Sequence, residues 1–260
     1  MLVRNAGKIG CLSMNEPKQN CIVVLCGYRG SGKSTYAQTL LRSQNNIVLY
    51  DPNQDDAYDW VPNTVNSLDD ADESHTLKKY FEWIREKQAR SFAVRYIPEE
   101  DQKGSLFDDC NLFCRMIWDL GARNLWVVFE EIHQVVQTAS PASMPPQLRK
   151  IVNRGRHKRI SAMFTGLRFA EIPRPVTAGA NIFVIFHTAE PLDLEELRRR
   201  VGAEATDKVM HLRRFEALVF DVATRSYFVS DSRGNVVVET QGGFSRESIA
   251  DLREGDIFRL

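Results

Sequence analysis

Short apolar runs alternate along the chain with segments in which apolar residues recur every three or four positions. The runs have the length and continuity of strands buried on both faces: Cys21–Cys26, Asn46–Tyr50, Leu125–Phe129, Ile160–Thr165 and Ile182–Phe186. Helical spacing is found in the intervening segments: Lys33–Ser43, Leu77–Ile84, Leu106–Trp118, Gln147–Val152, Asp193–Arg200 and Glu204–His211. Strands that alternate with helices predict an α/β domain with a mostly parallel sheet flanked by helices.

The two ends of the chain depart from this alternation. Residues 1–20 are polar and lack periodicity, so we expect a loose N-terminal arm. After Phe215 the pattern changes to short strands separated by turn residues: Ala217–Asp221, Tyr227–Ser230 and Asn235–Glu239. The predicted organisation is therefore an arm over 1–20, an α/β core over 21–214 and a small β-rich appendage over 215–260.

Charge is balanced overall but unevenly distributed. The chain has 34 basic and 34 acidic residues, so its net charge does not indicate a partner. Asp51–Leu77 contains no Lys or Arg, and we expect its first part, 51–74, to be a solvated loop. The basic stripe, Arg149–Arg174, contains one acid, Glu171. It is interpreted either as a solvated face, as a surface for DNA phosphates or as the source of an arginine for a neighbouring active site.

A membrane span and a cysteine-based metal site find little support in the sequence. No apolar run approaches the roughly 20 residues that cross a bilayer, and Met1–Asn20 does not have the pattern of a secretory signal. An odd number of cysteines without such a signal predicts reduced thiols in a cytoplasmic compartment. Cys110 and Cys114 are one helical turn apart, and we expect them to fill the apolar face of a helix.

A complete phosphate-binding motif follows the first apolar run. Gly27-Tyr28-Arg29-Gly30-Ser31-Gly32-Lys33-Ser34 fits G-x-x-x-x-G-K-[ST]. Glycines allow successive backbone N–H groups to surround an anion, and the following helix adds its positive N-terminal end. We expect Gly27, Gly30, Ser31, Gly32, Lys33, Ser34 and Thr35 to bind ATP. Lys33 is expected to reach the β- and γ-phosphates and Ser34 to hold Mg²⁺.

Two consecutive acids follow another buried strand. Leu125–Phe129 places Glu130 and Glu131 at its carboxyl end. Hydrolysis by a P-loop enzyme needs a carboxylate near Mg²⁺ and a group that orients the attacking water. We predict that Glu130 serves the metal and that Glu131 is the general base.

An ordered set of segments resembles the FtsK–HerA superfamily of ring-forming, DNA-pumping ATPases. The set is GYRGSGKS, VLYDPN, LWVVFEEIH, NRGRHKRISAMFTGLRFAEIPRPV and AEPLDLEELRRRVG, within Cys21–His211. This resemblance implies a RecA-like P-loop core, a homo-oligomeric and most simply hexameric ring, and double-stranded DNA as a partner. It also implies that an arginine from one subunit completes its neighbour's ATP site, with Arg154 and Arg156 as the candidates.

The chain departs from the superfamily pattern at one position. A polar residue that senses the γ-phosphate, usually Gln, aligns with Leu167 in this sequence. The sensor function is therefore expected to fall to Thr165, to Arg168 or to another residue.

The short segment before Cys21 distinguishes between members of the superfamily. We expect neither an N-terminal barrel of the HerA type nor a membrane anchor of the FtsK type. A nearly bare motor is most similar to the genome-packaging ATPases of membrane-containing icosahedral viruses. The expected locations are the host cytoplasm and a virion vertex, with portal or capsid-vertex proteins as partners. The alternatives are a cellular or mobile-element HerA-like translocase and, in a different class, a P-loop small-molecule kinase.

Overall fold

Strands and helices alternate through most of the chain, as the apolar pattern predicts. The computed structural model describes residues 21–70, 74–98, 105–121, 124–136 and 143–239. Its strands are β1 (Ile22–Cys26), β2 (Asn46–Tyr50), β3 (Asn63–Val65), β4 (Phe92–Tyr96), β5 (Leu125–Phe129), β6 (Ile160–Gly166), β7 (Ile182–Phe186), β8 (Glu216–Asp221), β9 (Ser226–Asp231) and β10 (Val236–Glu239). Its helices are α1 (Lys33–Leu41), α2 (Leu77–Lys87), α3 (Leu106–Leu120), α4 (Pro146–Arg154), α5 (Arg174–Gly179), α6 (Pro191–Val201) and α7 (Ala203–Met210). The predicted arm over 1–20 lies outside the described residues, as does 240–260 of the appendage.

The chain divides into two compact units. Among the described residues, the first unit comprises those within 21–44, 167–170 and 180–239, and the second comprises those within 45–166 and 171–179. Both contain strands that are almost completely buried, which agrees with the α/β prediction. None of the helices in the described ranges combines the length and the apolar character needed to cross a bilayer.

Strands of the first unit follow the order β10-β9-β8-β7-β1. β1 and β7 are parallel, with Val23 opposite Ile182, whereas β8, β9 and β10 continue the sheet in antiparallel pairs. The three strands after Phe215 therefore extend the same sheet that contains β1. All five residues of β1 are buried, because the apolar run IVVLC has no polar side chain to place in water.

Strands of the second unit follow the order β6-β5-β2-β4-β3, and every pair is parallel. Aromatic side chains fill its core: the Phe129 and Phe164 rings are stacked with centroids 5.0 Å apart, and Tyr50 packs edge-on against Phe113. Burial of each such ring stabilises the fold by about 1.5–3 kcal/mol. Because β5, β6 and β2 are parallel, their carboxyl ends lie at one edge, where the polar residues that follow them meet.

The helix ends of the second unit follow from local sequence. Ser105 caps α3 by accepting a hydrogen bond from the Asp108 N–H at 3.3 Å, and Gly121 ends it with φ = 68°. Pro146 starts α4 at a position where its missing N–H leaves no bond unmade. Cys110 and Cys114 are buried on α3 with their sulfurs 4.0 Å apart. In these helices, the local signals and the observed ends agree.

The segment 51–74 is the clearest difference from expectation. It was predicted as a solvated loop, but its described part contains β3 and the buried side chains of Tyr58, Val61, Val65 and Leu68. The Arg95 side chain, on β4, is also buried and bonds to the Asp51 and Asp59 carboxylates. Two of the acids that suggested a solvated segment, Asp51 and Asp59, thus neutralise the buried guanidinium of Arg95. α5 was also not predicted, since its six residues are too few to show helical periodicity.

Candidate active site

The phosphate-binding motif forms the turn between β1 and α1. Gly30 and Gly32 have φ values of 77° and 107°, a backbone conformation that L side chains rarely adopt. The Ser31 N–H donates to the Tyr28 carbonyl at 3.1 Å, and the Tyr36 N–H donates to the Gly32 carbonyl at 2.9 Å. Gly32 is the N-cap of α1, so the positive end of the helix begins at this residue.

Close packing explains two of the glycines independently of their dihedral angles. A Cβ on Gly27 would lie 2.6 Å from the Phe186 Cβ and 2.8 Å from the Ser31 Oγ. A Cβ on Gly32 would lie 2.8 Å from the Ser232 Cβ. Side chains at these positions would force the loop away from β7 and from the β9–β10 turn. The loop is therefore held against the sheet of its own unit.

Lys33 lies across the inside of this loop. Its side chain is buried, and its Nζ donates to the Gly27 carbonyl at 2.8 Å and approaches the Tyr28 carbonyl at 3.4 Å. The Ser31 hydroxyl is also buried and has no hydrogen-bond partner within the described structure. A buried ammonium beside an unmatched hydroxyl and a helix N-terminus matches the chemistry of a phosphate chain. The loop therefore fits the triphosphate of ATP.

The next two residues of the motif occupy the first turn of α1. Ser34 is half-buried and Thr35 is exposed. Neither position has an acidic neighbour in the first turn, so the positive end of the helix is not neutralised locally. The motif predicts a role at Mg²⁺ for Ser34 and a place near the phosphates for Thr35, and both residues lie in the helical turn that follows the loop.

The acidic pair follows β5 in the second unit. Glu130 and Glu131 are 2% and 8% exposed. Glu131 has φ = 49°, an uncommon conformation for a residue with a side chain, and its N–H donates to the Thr165 Oγ1 at 2.8 Å. This strain at the end of a buried strand is maintained by the neighbouring strand β6, which carries Thr165. His133 Nδ1 lies 3.2 Å from Glu131 Oε2.

Glu130 is the more deeply enclosed acid. Burial raises the pKa of Glu130 to about 7, although hydrogen bonds from Tyr58 and Thr165 lower it in part. The Tyr58 hydroxyl donates to Glu130 Oε2 at 2.8 Å. The nearby acids Glu131 and Asp51 contribute to this raised pKa. No ion pair between Glu130 and a cationic side chain is seen within the described ranges, and Mg²⁺ would supply a compensating charge.

The residues expected to hold magnesium fit that ion chemically. Carboxylate and hydroxyl oxygens are the donors that Mg²⁺ prefers, and Glu130 and Ser34 provide one of each. Mg²⁺ usually keeps several waters and binds through one or two protein groups together with substrate phosphates. A site with few protein donors is therefore sufficient, and the Glu130 carboxylate and the Ser34 hydroxyl each have the chemistry of such a donor.

Tyr58 was missed at the sequence level. It is separated from Glu130 by 72 positions and lies within the segment expected to be solvated. The available indication was that apolar side chains recur through 51–74, including Tyr58, Val61 and Val65. Such spacing predicts burial but does not show which carboxylate a buried hydroxyl would reach.

The candidate arginines are separate from the acidic pair in position and exposure. Arg154 ends α4 and Arg156 lies in the short 3₁₀-helix that precedes β6, and both are exposed. Within the basic stripe, the Lys150 Nζ lies 4.1 Å from the centre of the Trp118 ring and the Lys158 Nζ 5.7 Å from it. The stripe therefore presents charge on a framework packed against α3.

The two candidate sensors occupy different surroundings. Thr165 is buried and bonds to the backbone of Glu131. Arg168 belongs to the first unit, where its guanidinium lies 2.7 Å from Glu190 and 4.0 Å from Asp193. Leu167, which aligns with the family's glutamine, is half-buried. In the described residues, Thr165 is thus the polar side chain that joins β6 to the acidic pair.

Comparison with known proteins gives matches at the level of three-dimensional structure. The genome-packaging NTPase B204 of Sulfolobus turreted icosahedral virus 2, solved with AMPPCP, superposes with a TM-score of 0.63 and 18% identity, covering 82% of this chain and 97% of that one. The DNA-packaging ATPase B204 of Sulfolobus turreted icosahedral virus gives 0.61 and 18%, covering 82% and 98%.

The fold is that of a P-loop ATPase. VirB4 of Thermoanaerobacter pseudethanolicus is similar at a TM-score of 0.60 and 11% identity, over 88% of this chain and 92% of that one. No protein-family model and no curated protein matches the sequence. The RecA-like α/β architecture predicted from the resemblance to the FtsK–HerA superfamily is confirmed at the level of fold.

Proposed function

We propose that this protein hydrolyses ATP and uses the energy to move double-stranded DNA. The observation that carries the first part is the position of Lys33, whose buried ammonium lies inside a glycine loop that begins α1. Such an arrangement binds a phosphate chain through backbone N–H groups and one fixed charge. Similar folds have been solved with ATP analogues, which supports the choice of substrate.

Hydrolysis requires a water to attack the γ-phosphorus. Glu131 accepts a proton from this water as the new P–O bond forms, and the bond to the β,γ-bridging oxygen breaks to release ADP and phosphate. Thr165 holds the backbone of Glu131 and so orients its carboxylate. Lys33 stabilises the charge that develops on the phosphate oxygens. Bound Mg²⁺, held through Ser34 and Glu130, would supply further charge neutralisation.

DNA movement rests on the basic stripe and on the likeness to packaging ATPases. Exposed cations such as Arg156, Lys158 and Arg174 are suited to contact the phosphates of the DNA backbone. Such contacts do not depend on the base sequence of the DNA. In the proposed assembly, a hexameric ring surrounds the duplex, and Arg154 or Arg156 of one subunit completes the ATP site of the next. The proposed setting is viral genome packaging at a virion vertex or in the host cytoplasm, with portal or capsid-vertex proteins as partners.

The decisive experiment measures ATP hydrolysis by the full chain with and without double-stranded DNA, together with its solution mass. We expect DNA to stimulate hydrolysis and the assembly to approach six times 29.7 kDa in the presence of ATP. Lys33→Ala controls for contaminating ATPases. Hydrolysis that ignores DNA but requires a small phosphate acceptor would instead support a kinase.

The DNA contact can be tested separately through its salt dependence. Arg174→Ala removes an exposed cation from the basic stripe, and Lys87→Ala removes one at the end of α2, outside the stripe. If the stripe contacts phosphates, Arg174→Ala lowers the slope of log affinity against log salt by about one, whereas Lys87→Ala does not. Equal slopes in the two variants would contradict a role for Arg174 in binding DNA.

A further inference from the structure

A strained, exposed aromatic ring lies beside the phosphate-binding loop. Arg213–Glu216 forms a tight turn, closed by the Glu216 N–H donating to the Arg213 carbonyl at 3.0 Å. The Arg213 N–H in turn donates to Glu216 Oε2 at 2.9 Å. Phe215 occupies the third position of this turn with φ = 69°. Glycine or asparagine is usual there, because a side chain at positive φ is crowded by the backbone.

The ring itself gains little from burial. Phe215 is 45% exposed, yet its Cδ1 lies 3.4 Å from the position that a Cβ on Gly32 would occupy. The Arg214 guanidinium carbon lies 4.7 Å from the centre of the ring. A bulky residue in a strained and half-open position is therefore not explained by packing. Strain of this kind is concentrated at sites that bind ligands.

A second segment from the C-terminal strands reaches the same glycine. The turn between β9 and β10 places the Ser232 Cβ 2.8 Å from the position of a Cβ on Gly32. Asp231 makes this turn rigid, because its carboxylate accepts bonds from the Arg233 N–H at 2.9 Å and the Asn235 N–H at 2.7 Å. Two separate turns of the first unit thus border the residue at which α1 begins.

We propose that Phe215, together with Arg214 and the Ser232 turn, forms the subsite that receives the base of the nucleotide. This inference rests on the proposed binding of ATP at the loop. Phosphates held by the first turn of α1 place the base within one ribose of that turn. The half-exposed ring of Phe215, whose Cδ1 lies 3.4 Å from the position of a Cβ on Gly32, offers an aromatic surface next to that turn.

The chemistry of the surface fits a nucleobase better than a protein or lipid partner. Among the described residues it consists of one ring beside one guanidinium, whereas protein and membrane contacts need a larger continuous apolar area. Bases stack on aromatic rings and on guanidinium planes alike. Because every base has a π-face, stacking by itself distinguishes weakly between ATP and GTP. In this proposal, the turn that carries Phe215 and the turn between β9 and β10 complete the nucleotide site.

The test compares ATP with inorganic tripolyphosphate, which has the phosphates but no base. Phe215→Gly removes the ring and also relieves the positive φ, so its melting temperature should equal or exceed that of the parent chain. We expect its Kd for ATP to rise about ten-fold, in the range for loss of one stacked base, while its Kd for tripolyphosphate stays within about two-fold. Phe215→Trp should preserve ATP affinity because it retains an aromatic plane.

Controls separate this proposal from the proposed function. Trp83→Ala removes an equally exposed aromatic ring, 46% exposed on α2, and should leave both affinities unchanged. If the parent chain binds neither ATP nor tripolyphosphate, nucleotide binding itself is refuted. If it binds both and Phe215→Gly binds ATP normally, only the base subsite is refuted. Equal weakening of ATP and tripolyphosphate in Phe215→Gly would also overturn the subsite, since the loop would then have been disturbed.

Discussion

The phosphate-binding loop and the acidic pair both follow the carboxyl end of a buried parallel strand, but they are built differently. The loop after β1 is formed by backbone groups and glycines, and its one charged side chain, Lys33, bonds to carbonyls of the same loop. The acidic pair after β5 depends on side chains from other strands and loops, namely Tyr58 and Thr165.

This difference has consequences for how each region tolerates change. A loop made of backbone keeps its shape when distant side chains are altered, because its conformation is set by local dihedral angles and close packing. Glu130 and Glu131 are oriented by hydrogen bonds from side chains on separate elements, such as Tyr58 and Thr165, so one remote substitution can misplace them. Substitutions that act on the two regions should therefore differ in how far they reduce hydrolysis.

The largest effect is expected at the candidate arginines. Arg154→Ala or Arg156→Ala should reduce hydrolysis roughly 10³-fold, because an arginine supplied in trans stabilises charge on the γ-phosphate. Binding of ATP should persist in both variants. The measurement is steady-state hydrolysis beside a binding titration, with Lys87→Ala as the control for lost surface charge.

Mixing two inactive variants tests whether an arginine of one subunit completes the ATP site of its neighbour. An arginine variant has an intact loop, and Lys33→Ala has intact arginines, so mixed rings contain some complete sites. Activity should therefore reappear when the two inactive proteins are combined. If mixing restores nothing and the arginine variants keep basal hydrolysis, the trans arrangement is wrong.

Removal of the Lys33 ammonium should come next. Lys33→Ala is expected to lower hydrolysis by about 10²–10³-fold, since a preorganised charge at the phosphates is lost. Its melting temperature should change little, because the loop is held by glycine packing against Phe186 and Ser232. Lys208→Ala, on α7 of the same unit, is the matched control. Near-normal turnover in folded Lys33→Ala would refute the assigned role.

Substitutions of Glu130 and Glu131 should have different effects on hydrolysis, because the two acids have different proposed roles. Glu131→Gln preserves size and removes the general base, so hydrolysis should fall about 10²-fold while ATP still binds. Glu130→Gln should instead raise the Mg²⁺ concentration needed for half-maximal activity. Titrations of both variants with ATP and with Mg²⁺ provide the comparison. If Glu130→Gln abolishes hydrolysis at saturating Mg²⁺ and Glu131→Gln does not, the two roles are exchanged.

The smallest effect is expected at Thr165, which positions Glu131. Thr165→Val keeps the shape of the side chain but leaves the Glu131 N–H without its acceptor, so hydrolysis should fall about ten-fold. Thr165→Ser keeps the hydroxyl and should remain close to the parent rate. ATP affinity should be similar in both, because the phosphate-binding loop is unchanged. Equal rates in the Val and Ser variants would show that this hydrogen bond does not orient the base.

Local features of the sequence were sufficient for much of the fold. The apolar runs predicted β1, β2, β5, β6 and β7, and the serine and proline at the starts of α3 and α4 agree with the observed helix ends. Segment 51–74 was misjudged because its acidic side chains suggested solvation. The buried Arg95, which those acids surround, is more than thirty positions away. A charge count cannot show that a carboxylate faces a buried cation instead of water.

The glycine turn between β1 and α1 could be predicted from the sequence, since such a turn is defined by consecutive residues. The position of two acids after β5 could be predicted in the same way. Tertiary structure alone decided that the Tyr58 hydroxyl reaches Glu130, that Thr165 holds Glu131 and that Phe215 lies beside Gly32. These contacts join residues far apart in the chain. Their formation depends on strand order and on the packing of whole elements, which no local pattern encodes.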